Sequence, residues 1–433
     1  MATKLERITQ LSRENPDMVF TSIGHLINVE MLKSCHEKMG ADKAVGIDGV
    51  TKEDYGRDLE KNLTDLVERM KRKAYHPKPA RRVEIPKDNG KTRPLSIYCY
   101  EDKLVQEAIK RIIEAVFEPH FYNEMMGFRP NRGCHDALRL LNNQIGGQKT
   151  NWVLDADIRG FFDNIDHEWM MKFVESRIKD PRILRLVKVM LKAGVVKDMG
   201  NFEPTEQGSG QGSVCSPVLA NVYMHYILLW WFHERVQPLL KGYAGIVNYA
   251  DDFVVCFQYK NEAEWFYERL KRRMAYFGLS LAEEKCRLIE FGRFAENNRK
   301  RRGEGKPETF DFLGFTHACS RYRSGKFKVR RTTCRKKFVK KCKEMHLKIG
   351  MMRTEKTKDI IKWINQVLVG YYHYYGVLGN YPKVIAFRYN VLNSLFYLLN
   401  RRSQKKSYTR AGFYDMITKG HPVERPKAYY DVI

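Results

Sequence analysis

The chain has 433 residues, of which 43% are hydrophobic and 12% are aromatic. That length and composition allow a sizeable buried core and exclude a largely disordered protein. Lysine and arginine number 77 against 51 aspartate and glutamate residues, which gives a net charge of +26. This excess favours a polyanionic partner, either nucleic acid or an anionic membrane surface, and does not separate an enzyme from a passive RNA-coating protein.

Nine cysteines are scattered singly and form no CxxC pair, which argues against a zinc ribbon or a thioredoxin-like site. A dispersed, odd-numbered set indicates reduced thiols. The first ten residues, MATKLERITQ, lack the apolar core of a signal peptide. The most apolar segment, 218–232, is too short to span a bilayer and is predicted to be a buried helix. We therefore expect a cytoplasmic protein, in the bacterial cytosol or nucleoid.

The first 320 residues are predicted to mix helices and strands. The expected elements, in chain order, are helical structure within 1–45, a strand at 82–85, a helix over 102–117, a strand at 152–158, a helix after Asp166, a helix through 218–232 and a hairpin around 249–252. Such alternation predicts an α/β chain.

Beyond residue 330 the sequence predicts basic helices. Three stripes of apolar residues recur at helical spacing: Phe338, Cys342, Met345 and Ile349; Ile364, Val367, Leu368, Tyr371, Tyr374, Tyr375 and Leu378; and Val391, Leu392, Leu395, Leu398 and Leu399. Helices with such faces bury them against each other, so we expect a small bundle. Residues 297–305, NNRKRRGEG, are predicted to form a basic loop before it.

The strongest chemical signal is GIVNYADDFVVCF at residues 245–257. Two apolar runs flank Asp251 and Asp252, which is typical of a strand–turn–strand hairpin. Paired aspartates are common in turns. Between near-continuous apolar strands, however, uncompensated carboxylates are costly, and a bound divalent cation would offset that cost.

A second carboxylate has a similar setting, because Asp157 lies at the end of the apolar strand at 152–158. Phosphoryl transfer with two metal ions needs carboxylates from more than one element, holding the ions roughly 3.5–4 Å apart. The competing interpretation is that Asp155, Asp157, Asp163 and Asp166 cap the following helix. We accept it for Asp166, leave it open for Asp163 and reject it for Asp157.

Several motifs occur together in an order typical of reverse transcriptases. Tyr249-Ala250-Asp251-Asp252 resembles the YxDD box, Asp157 with Phe162 resembles the first catalytic motif, and Gln211-Gly212 with Ser216-Pro217 resembles QGxxxSP. Residues 82–95, 127–133 (GFRPNRG), 299–315 and 370–380 (GYYHYYGVLGN) resemble group II intron reverse transcriptase/maturases in particular. The resemblance is to the form without a C-terminal endonuclease domain, so target-strand cleavage is not expected.

The resemblance implies the right-hand polymerase fold, with fingers, a palm that contains an antiparallel sheet, and a helical thumb. By this comparison residues 1–45 are an N-terminal extension and 46–320 are the fingers and palm. Residues 321–400 would be the thumb or maturase (X) domain, and 401–433 a basic segment interpreted as a DNA-binding remnant.

The resemblance also implies catalytic roles. Asp157, Asp251 and Asp252, with the backbone carbonyl of Ile158, would bind two Mg²⁺ ions, with Mn²⁺ as the alternative ion. Lys285 would protonate the departing pyrophosphate. Lys285 could equally be a surface lysine at a helix end.

Further residues are implied to bind the substrates. Lys87 and Arg93 would hold the incoming triphosphate, unless they are surface charges near a turn. Gln211 would contact the nucleotide or the template base pair. Phe162 would exclude a 2′-hydroxyl, which makes the substrate a dNTP; Phe161 competes for this role, and an ordinary core position is the alternative for both. Nucleic-acid backbone contacts are assigned to Lys336, Lys337, Lys340 and Lys341, against the alternative of a solvated basic face.

The implied function is that of an RNA-directed DNA polymerase encoded by a group II intron, which assists RNA splicing and retrohoming. Its partners would be the intron RNA, an RNA template with a DNA primer, dNTPs and a DNA target. No association with a membrane is expected. The oligomeric state is either a monomer or a homodimer. Two alternatives remain: a related cellular reverse transcriptase of the retron, diversity-generating or defence type, and a non-enzymatic RNA-binding splicing factor. The intact carboxylates Asp157, Asp251 and Asp252 argue against the splicing factor.

Overall fold

The computed structural model describes residues 2–86, 92–197, 201–402, 404–427 and 429–430. The helices are α1 (Ala2–Glu14), α2 (Val29–Lys38), α3 (Lys52–Gly56), α4 (Leu59–Lys71), α5 (Tyr100–Phe117), α6 (Cys134–Asn142), α7 (His167–Glu175), α8 (Pro181–Leu191), α9 (Ser216–Met224), α10 (Lys260–Tyr276), α11 (Ala295–Arg301), α12 (Arg335–Met351), α13 (Thr357–Tyr375), α14 (Tyr381–Leu399) and α15 (Arg410–Asp415). The strands are β1 (Ala80–Pro86), β2 (Thr92–Ile97), β3 (Trp152–Asp157), β4 (Val195–Val196), β5 (Phe202–Glu203), β6 (Ala244–Tyr249), β7 (Asp252–Phe257), β8 (Arg287–Glu290), β9 (Phe310–Phe312), β10 (Phe315–Arg321) and β11 (Phe327–Thr333).

A four-stranded antiparallel sheet in the order β6-β7-β3-β8 forms the centre of the molecule. Successive side chains of a strand point to opposite faces, and both faces of this sheet are covered. Leu154 and Val255 belong to the main core with the helices, whereas Val153 and Val254 pack with α6 and the sheet of β9 to β11. Burial on both faces explains the near-continuous apolar runs, and the predicted strand and hairpin are confirmed.

A second sheet has the order β2-β1-β4-β5. Strands β1 and β2 are antiparallel, with Ile85 opposite Arg93, while β4 runs parallel to β1. The predicted strand at 82–85 is therefore part of a longer strand. Lys87, for which triphosphate binding is predicted, lies outside the described residues.

The predicted helical bundle is confirmed. Helices α12, α13 and α14 share one core, to which Met345, Leu368 and Leu395 contribute. Phe413 and Ile417, from the segment after α14, are buried in the same core. The mixed helices and sheets, with an antiparallel central sheet and a helical bundle, agree with the expected right-hand polymerase fold.

Three local predictions are wrong. Residues 297–305 are not a continuous loop, because α11 extends to Arg301 and the chain turns only at Gly303, which has φ 72°. The helical region begins at Arg335, after the unpredicted three-stranded sheet in the order β11-β10-β9. Leu378 lies beyond the end of α13 and is 49% exposed, so it does not continue the apolar stripe.

None of the described helices is both long and apolar enough to cross a lipid bilayer. All nine cysteines are free thiols, as their dispersed positions predict. Burial raises the pKa of the Cys215 thiol to about 11, so this side chain behaves as an apolar core group.

Candidate active site

The candidate site forms where β3 ends and the β6–β7 hairpin turns. Asp157, the last residue of β3, lies directly opposite Asp252, the first residue of β7. Asp251 is in the adjacent turn, and its carbonyl oxygen accepts a hydrogen bond from the Ile158 N–H at 3.4 Å. The strand register therefore brings the three predicted carboxylates to one end of the central sheet.

The hairpin turn is tightly supported. Ala250 adopts a left-handed conformation with φ 60°, and the buried Asn248 side chain donates to the Ala250 carbonyl at 2.7 Å. Gly127 packs directly on this turn, since a Cβ atom there would lie 2.5 Å from the Ala250 nitrogen. Asn221 of α9 donates to the Gly127 carbonyl at 2.9 Å. The GFRPNRG segment thus fixes the backbone that carries Asp251.

Arg129 anchors this supporting segment from within the core. Its guanidinium pairs with Glu118 at 2.9 Å and donates to the carbonyls of Tyr122 at 2.6 Å and Met125 at 2.9 Å. The sequence singles out the motif without assigning roles to Gly127, Arg129 or Asn221. The signal available for the segment was its two glycines, Gly127 and Gly133, which frame a short run that contains Pro130.

The carboxylates are partly buried and repel each other. Burial, with the nearby Asp155, Asp157 and Asp251 carboxylates, raises the pKa of Asp252 well above its usual range. Burial also raises the pKa of Asp251, and it raises that of Asp155 to about 7. An additional positive charge at this end of the sheet would relieve the repulsion.

A fourth carboxylate, that of Asp155, lies close enough for its charge to act on Asp252. The helix-capping interpretation is wrong for it, because it lies inside β3, opposite Val254 on one side and Arg287 on the other. Its spacing of two residues from Asp157 places both side chains on the same face of the sheet. That spacing was the signal that could have identified it.

Three cations surround the carboxylates. Lys285 forms an ion pair with Asp157, and this hydrogen bond raises the pKa of the Lys285 ammonium. The charge of Arg93 acts on Asp251, and that of Lys337, in the first turn of α12, acts on Asp252. The site therefore combines the carboxylates at one end of the central sheet with positive charges from β2, from the segment before β8 and from the helical bundle.

In the described part of the chain, no three His, Cys, Asp or Glu side chains gather closely enough to form a complete metal-ligand set. Protein Mg²⁺ sites of phosphoryl transfer commonly use one or two carboxylates, with substrate phosphates and water as the remaining ligands. Asp157, Asp251 and Asp252 suit such a site, because burial and then repulsion between carboxylates raise the pKa values of Asp251 and Asp252, and a divalent cation would offset both effects.

The two candidate phenylalanines differ in environment. Phe161 is 1% exposed and belongs to the main core. Phe162 is half-buried and, together with Gln211, lines a cavity of about 790 Å³. The structure thus places Phe162 and Gln211 beside open space, and it places Phe161 away from it.

The two aspartates considered as helix caps also differ. Asp166 caps α7, because its carboxylate accepts a hydrogen bond from the Trp169 N–H at 2.8 Å. This prediction is confirmed. Asp163, which was left open, instead accepts from the Gln211 side chain at 3.2 Å, and it positions that amide at the cavity.

The four lysines predicted to bind nucleic acid lie on α12. Lys337, Lys340 and Lys341 line a cavity of about 430 Å³ together with Tyr371, Tyr374 and Tyr375. Lys336 is exposed on the same helix. Lys340 and Lys341 pair with Glu344, at 3.7 Å and 3.2 Å respectively. Tyr371 and Tyr375 belong to the bundle core, as expected, whereas Tyr374 packs with the central sheet and the sheet of β9 to β11.

Comparison with known proteins identifies the family. The family model described as "Reverse transcriptase (RNA-dependent DNA polymerase)" matches residues 85–317, more than half of the chain. The group II intron-encoded protein LtrA of Lactococcus lactis subsp. cremoris is 36% identical over 223 residues, which are 51% of this chain and 37% of LtrA. Protein YkfC of Escherichia coli strain K12 is 34% identical over 238 residues, 48% of this chain and 62% of YkfC.

A 91 kDa protein in the cob intron of Schizosaccharomyces pombe is 32% identical over 228 residues, 52% of this chain and 28% of that protein. The matched region therefore spans between about a quarter and two thirds of these relatives. The resemblance to group II intron reverse transcriptase/maturases is confirmed by these relatives. The chain belongs to the reverse transcriptase (RNA-dependent DNA polymerase) family.

Proposed function

We propose that this chain is an RNA-directed DNA polymerase encoded by a group II intron, and that it assists the splicing and mobility of the intron RNA. The observation that supports the polymerase best is the register of the central sheet, which sets Asp157 opposite Asp252 beside Asp251. The relative named as a group II intron-encoded protein supports the intron role. A DNA target and an RNA template with a DNA primer complete the proposed set of partners.

In this reaction the primer 3′-hydroxyl attacks the α-phosphate of a dNTP, and the bond to pyrophosphate breaks. Asp157, Asp251 and Asp252, with the Ile158 carbonyl, would hold two Mg²⁺ ions. Ions held by these residues would supply activation of the hydroxyl and neutralisation of the charge on the leaving group. Arg93 and Lys87 would clamp the triphosphate oxygens, and Lys285 would supply a proton to pyrophosphate.

Phe162 is proposed to select the sugar. It lines the same cavity as Gln211, and it follows Asp157 by five residues in the sequence. A rigid ring in contact with C2′ leaves no room for a 2′-hydroxyl. We expect Phe162→Val to raise rNTP incorporation relative to dNTP, measured by single-nucleotide extension. An unchanged ratio would reject this role for Phe162.

Primer extension on an RNA template with a DNA primer and dNTPs tests the polymerase function. We expect extension with Mg²⁺, loss of extension after chelation with EDTA, and recovery when Mg²⁺ is restored. Mn²⁺ in place of Mg²⁺ tests the alternative ion. Extension that persists after chelation would contradict the metal-dependent mechanism.

The intron role is separable from polymerisation. We propose that residues 46–320 form the fingers and palm, and that the bundle of α12 to α14 grips the intron RNA as a thumb. Splicing of the parent intron RNA should be stimulated by the wild-type chain and by a variant that lacks the carboxylates. Stimulation of splicing without any primer extension by the wild type would favour the non-enzymatic splicing factor.

A further inference from the structure

An exposed aromatic ring, that of Phe128, contacts the ring of Phe162. Phe128 is 48% exposed, and its ring meets that of Phe162 edge to face, with centroids 6.3 Å apart and planes inclined at 75°. On its other contact Phe162 meets Phe161 of the core at 5.4 Å. Removing Phe128 would leave the Phe162 ring with one aromatic neighbour instead of two.

The backbone of Phe128 is strained. Its φ angle of 57° lies in the left-handed region, which is uncommon for any residue with a side chain and a genuine outlier for a bulky one. Such conformations persist only where the surrounding structure enforces them, and they concentrate at functional sites. A glycine would adopt this φ angle without strain, so the phenylalanine ring is retained against a local cost.

The structure that enforces this conformation is the support of the Asp251 turn. On one side of Phe128, Gly127 is packed against the Ala250 nitrogen and its carbonyl is held by Asn221. On the other side, Arg129 is tied to Glu118 and to backbone carbonyls. The backbone that carries Phe128 is therefore held against the Asp251 turn, and the contact between the two rings links the position of the Phe162 ring to the same turn.

We propose that Phe128 is a positioning residue for Phe162, which orients that ring against the sugar of the incoming nucleotide and so contributes to discrimination between dNTPs and rNTPs. The inference rests on the proposed polymerase function and on the role proposed for Phe162. Without the edge-to-face contact the Phe162 side chain gains rotational freedom. The ring is then no longer held in the position in which it excludes a 2′-hydroxyl.

The test compares kcat/KM for a dNTP and the matching rNTP in single-nucleotide extension. Phe128→Ala and Phe128→Gly should raise relative rNTP use about three- to tenfold, the size expected for one lost aromatic pair. Phe128→Gly also relieves the φ strain, so it keeps the loop folded. Phe128→Tyr retains the ring and should keep the wild-type ratio. Phe294→Ala is the matched control, because Phe294 is a similarly exposed phenylalanine, at 53%.

A purely structural role would lower dNTP and rNTP incorporation together and leave their ratio unchanged. The inference is overturned if Phe128→Ala and Phe128→Gly keep the wild-type ratio while Phe162→Val changes it. It is also overturned if Phe162→Val leaves the ratio unchanged in a chain that does extend primers, a result that spares the polymerase function. Absence of any extension by the wild type would instead remove the proposed function on which the inference rests.

Discussion

The ion pair between Lys285 and Asp157 gives Lys285 two distinguishable roles. As a general acid it would donate a proton to pyrophosphate, whereas as a fixed charge it would only balance Asp157. Arginine retains the charge and does not release its proton in proteins. The substitution of Lys285 by arginine therefore separates proton donation from charge balance.

We predict that Lys285→Ala and Lys285→Arg both lower kcat about a hundredfold, the range of general acid catalysis, while KM for the dNTP changes little. Rapid single-nucleotide incorporation at saturating dNTP measures this. A Lys285→Arg variant with the kcat of the wild type would contradict proton donation and leave charge balance as the role of Lys285.

Individual site residues could be predicted from the sequence where they belong to a recognisable motif. Asp157, Asp251 and Asp252 follow from short sequence patterns, as do Phe162 and Gln211. Asp155 did not, because its raised pKa results from burial and from the Asp311 carboxylate, which is brought close only by the folded chain. The role proposed for Phe128 was also not predictable, because a left-handed φ angle at a phenylalanine has no sequence signature.

At the scale of elements, Asp180 joins the N-terminal segment to α8. Its fully buried side chain caps α8 by accepting from the Arg182 N–H at 2.9 Å. It also accepts from the N–H groups of Ile23 at 2.8 Å and Gly24 at 2.6 Å. Although burial opposes it, hydrogen bonds from Arg182 and from the Gly24 N–H lower the pKa of Asp180 to about 2.

We predict that Asp180→Ala lowers the free energy of unfolding by about 2–5 kcal/mol, because it leaves several buried N–H groups without an acceptor. Urea denaturation measures the change. Asp58→Ala is the matched control, since Asp58 precedes α4 and its side chain makes no capping hydrogen bond. Equal losses in the two variants would contradict the account of Asp180.

The hydrogen bonds of Asp180 also predict that the free energy of unfolding depends on pH. The folded pKa of about 2 lies below the unfolded value of about 3.9. The stabilisation by Asp180 is therefore complete above about pH 4 and is lost as the pH falls towards 2. The stability difference between the wild type and Asp180→Asn, measured by urea denaturation at several pH values, should shrink over this range. A stability difference that stays constant from pH 5 to 2.5 would refute the expected pH dependence.

Elements with strong local periodicity were predicted well. The helix α5 and the bundle helices repeat apolar residues at helical spacing, and β3 and β7 are apolar runs bounded by polar residues. The sheet of β9 to β11 was missed for two reasons. Strand β11 includes exposed basic residues, such as Arg330. The apolar residues of the sheet form a core only together with residues distant in sequence, such as those of α6. The helix α11 was missed because its basic residues suggested a loop.

At the scale of the whole molecule, the charge of +26 is expected to act on nucleic acid through defined surfaces. The lysines of α12 form one such surface, and the charge of one of them, Lys337, acts on Asp252. We predict that reversing Lys336, Lys337, Lys340 and Lys341 to glutamate weakens RNA affinity and reduces the slope of log K against log salt by up to about three units. Filter binding at several salt concentrations measures both quantities.

The control for this prediction replaces the same four lysines with arginine, which keeps the charge and should keep the slope. Unchanged affinity and slope in the glutamate variant would show that this face of α12 is merely solvated. Thermal unfolding of both variants separates loss of binding from loss of folding.

Contacts across the whole molecule were beyond prediction from local patterns. The N–H groups of Tyr429 and Tyr430 donate to the Gly376 carbonyl at 2.8 and 3.2 Å, and the Tyr430 ring stacks on His135 of α6 at 3.9 Å. The end of the chain thus connects the helical bundle to α6, beside the central sheet. Residues so far apart in sequence carry no shared periodicity, so neither this link nor the burial of Phe413 in the bundle could be inferred.

The central claim is that Asp251 and Asp252, with Asp157, catalyse DNA synthesis on an RNA template. Its most direct test is primer extension by the wild type and by the Asp251→Ala/Asp252→Ala variant, with RNA binding measured on the same preparations. Asp415→Ala is the control, because Asp415 lies on the surface and pairs only locally with Lys419 at 3.0 Å. We expect extension by the wild type and the control, no extension by the double variant, and similar RNA affinity for all three proteins. Extension by the double variant would contradict the central claim.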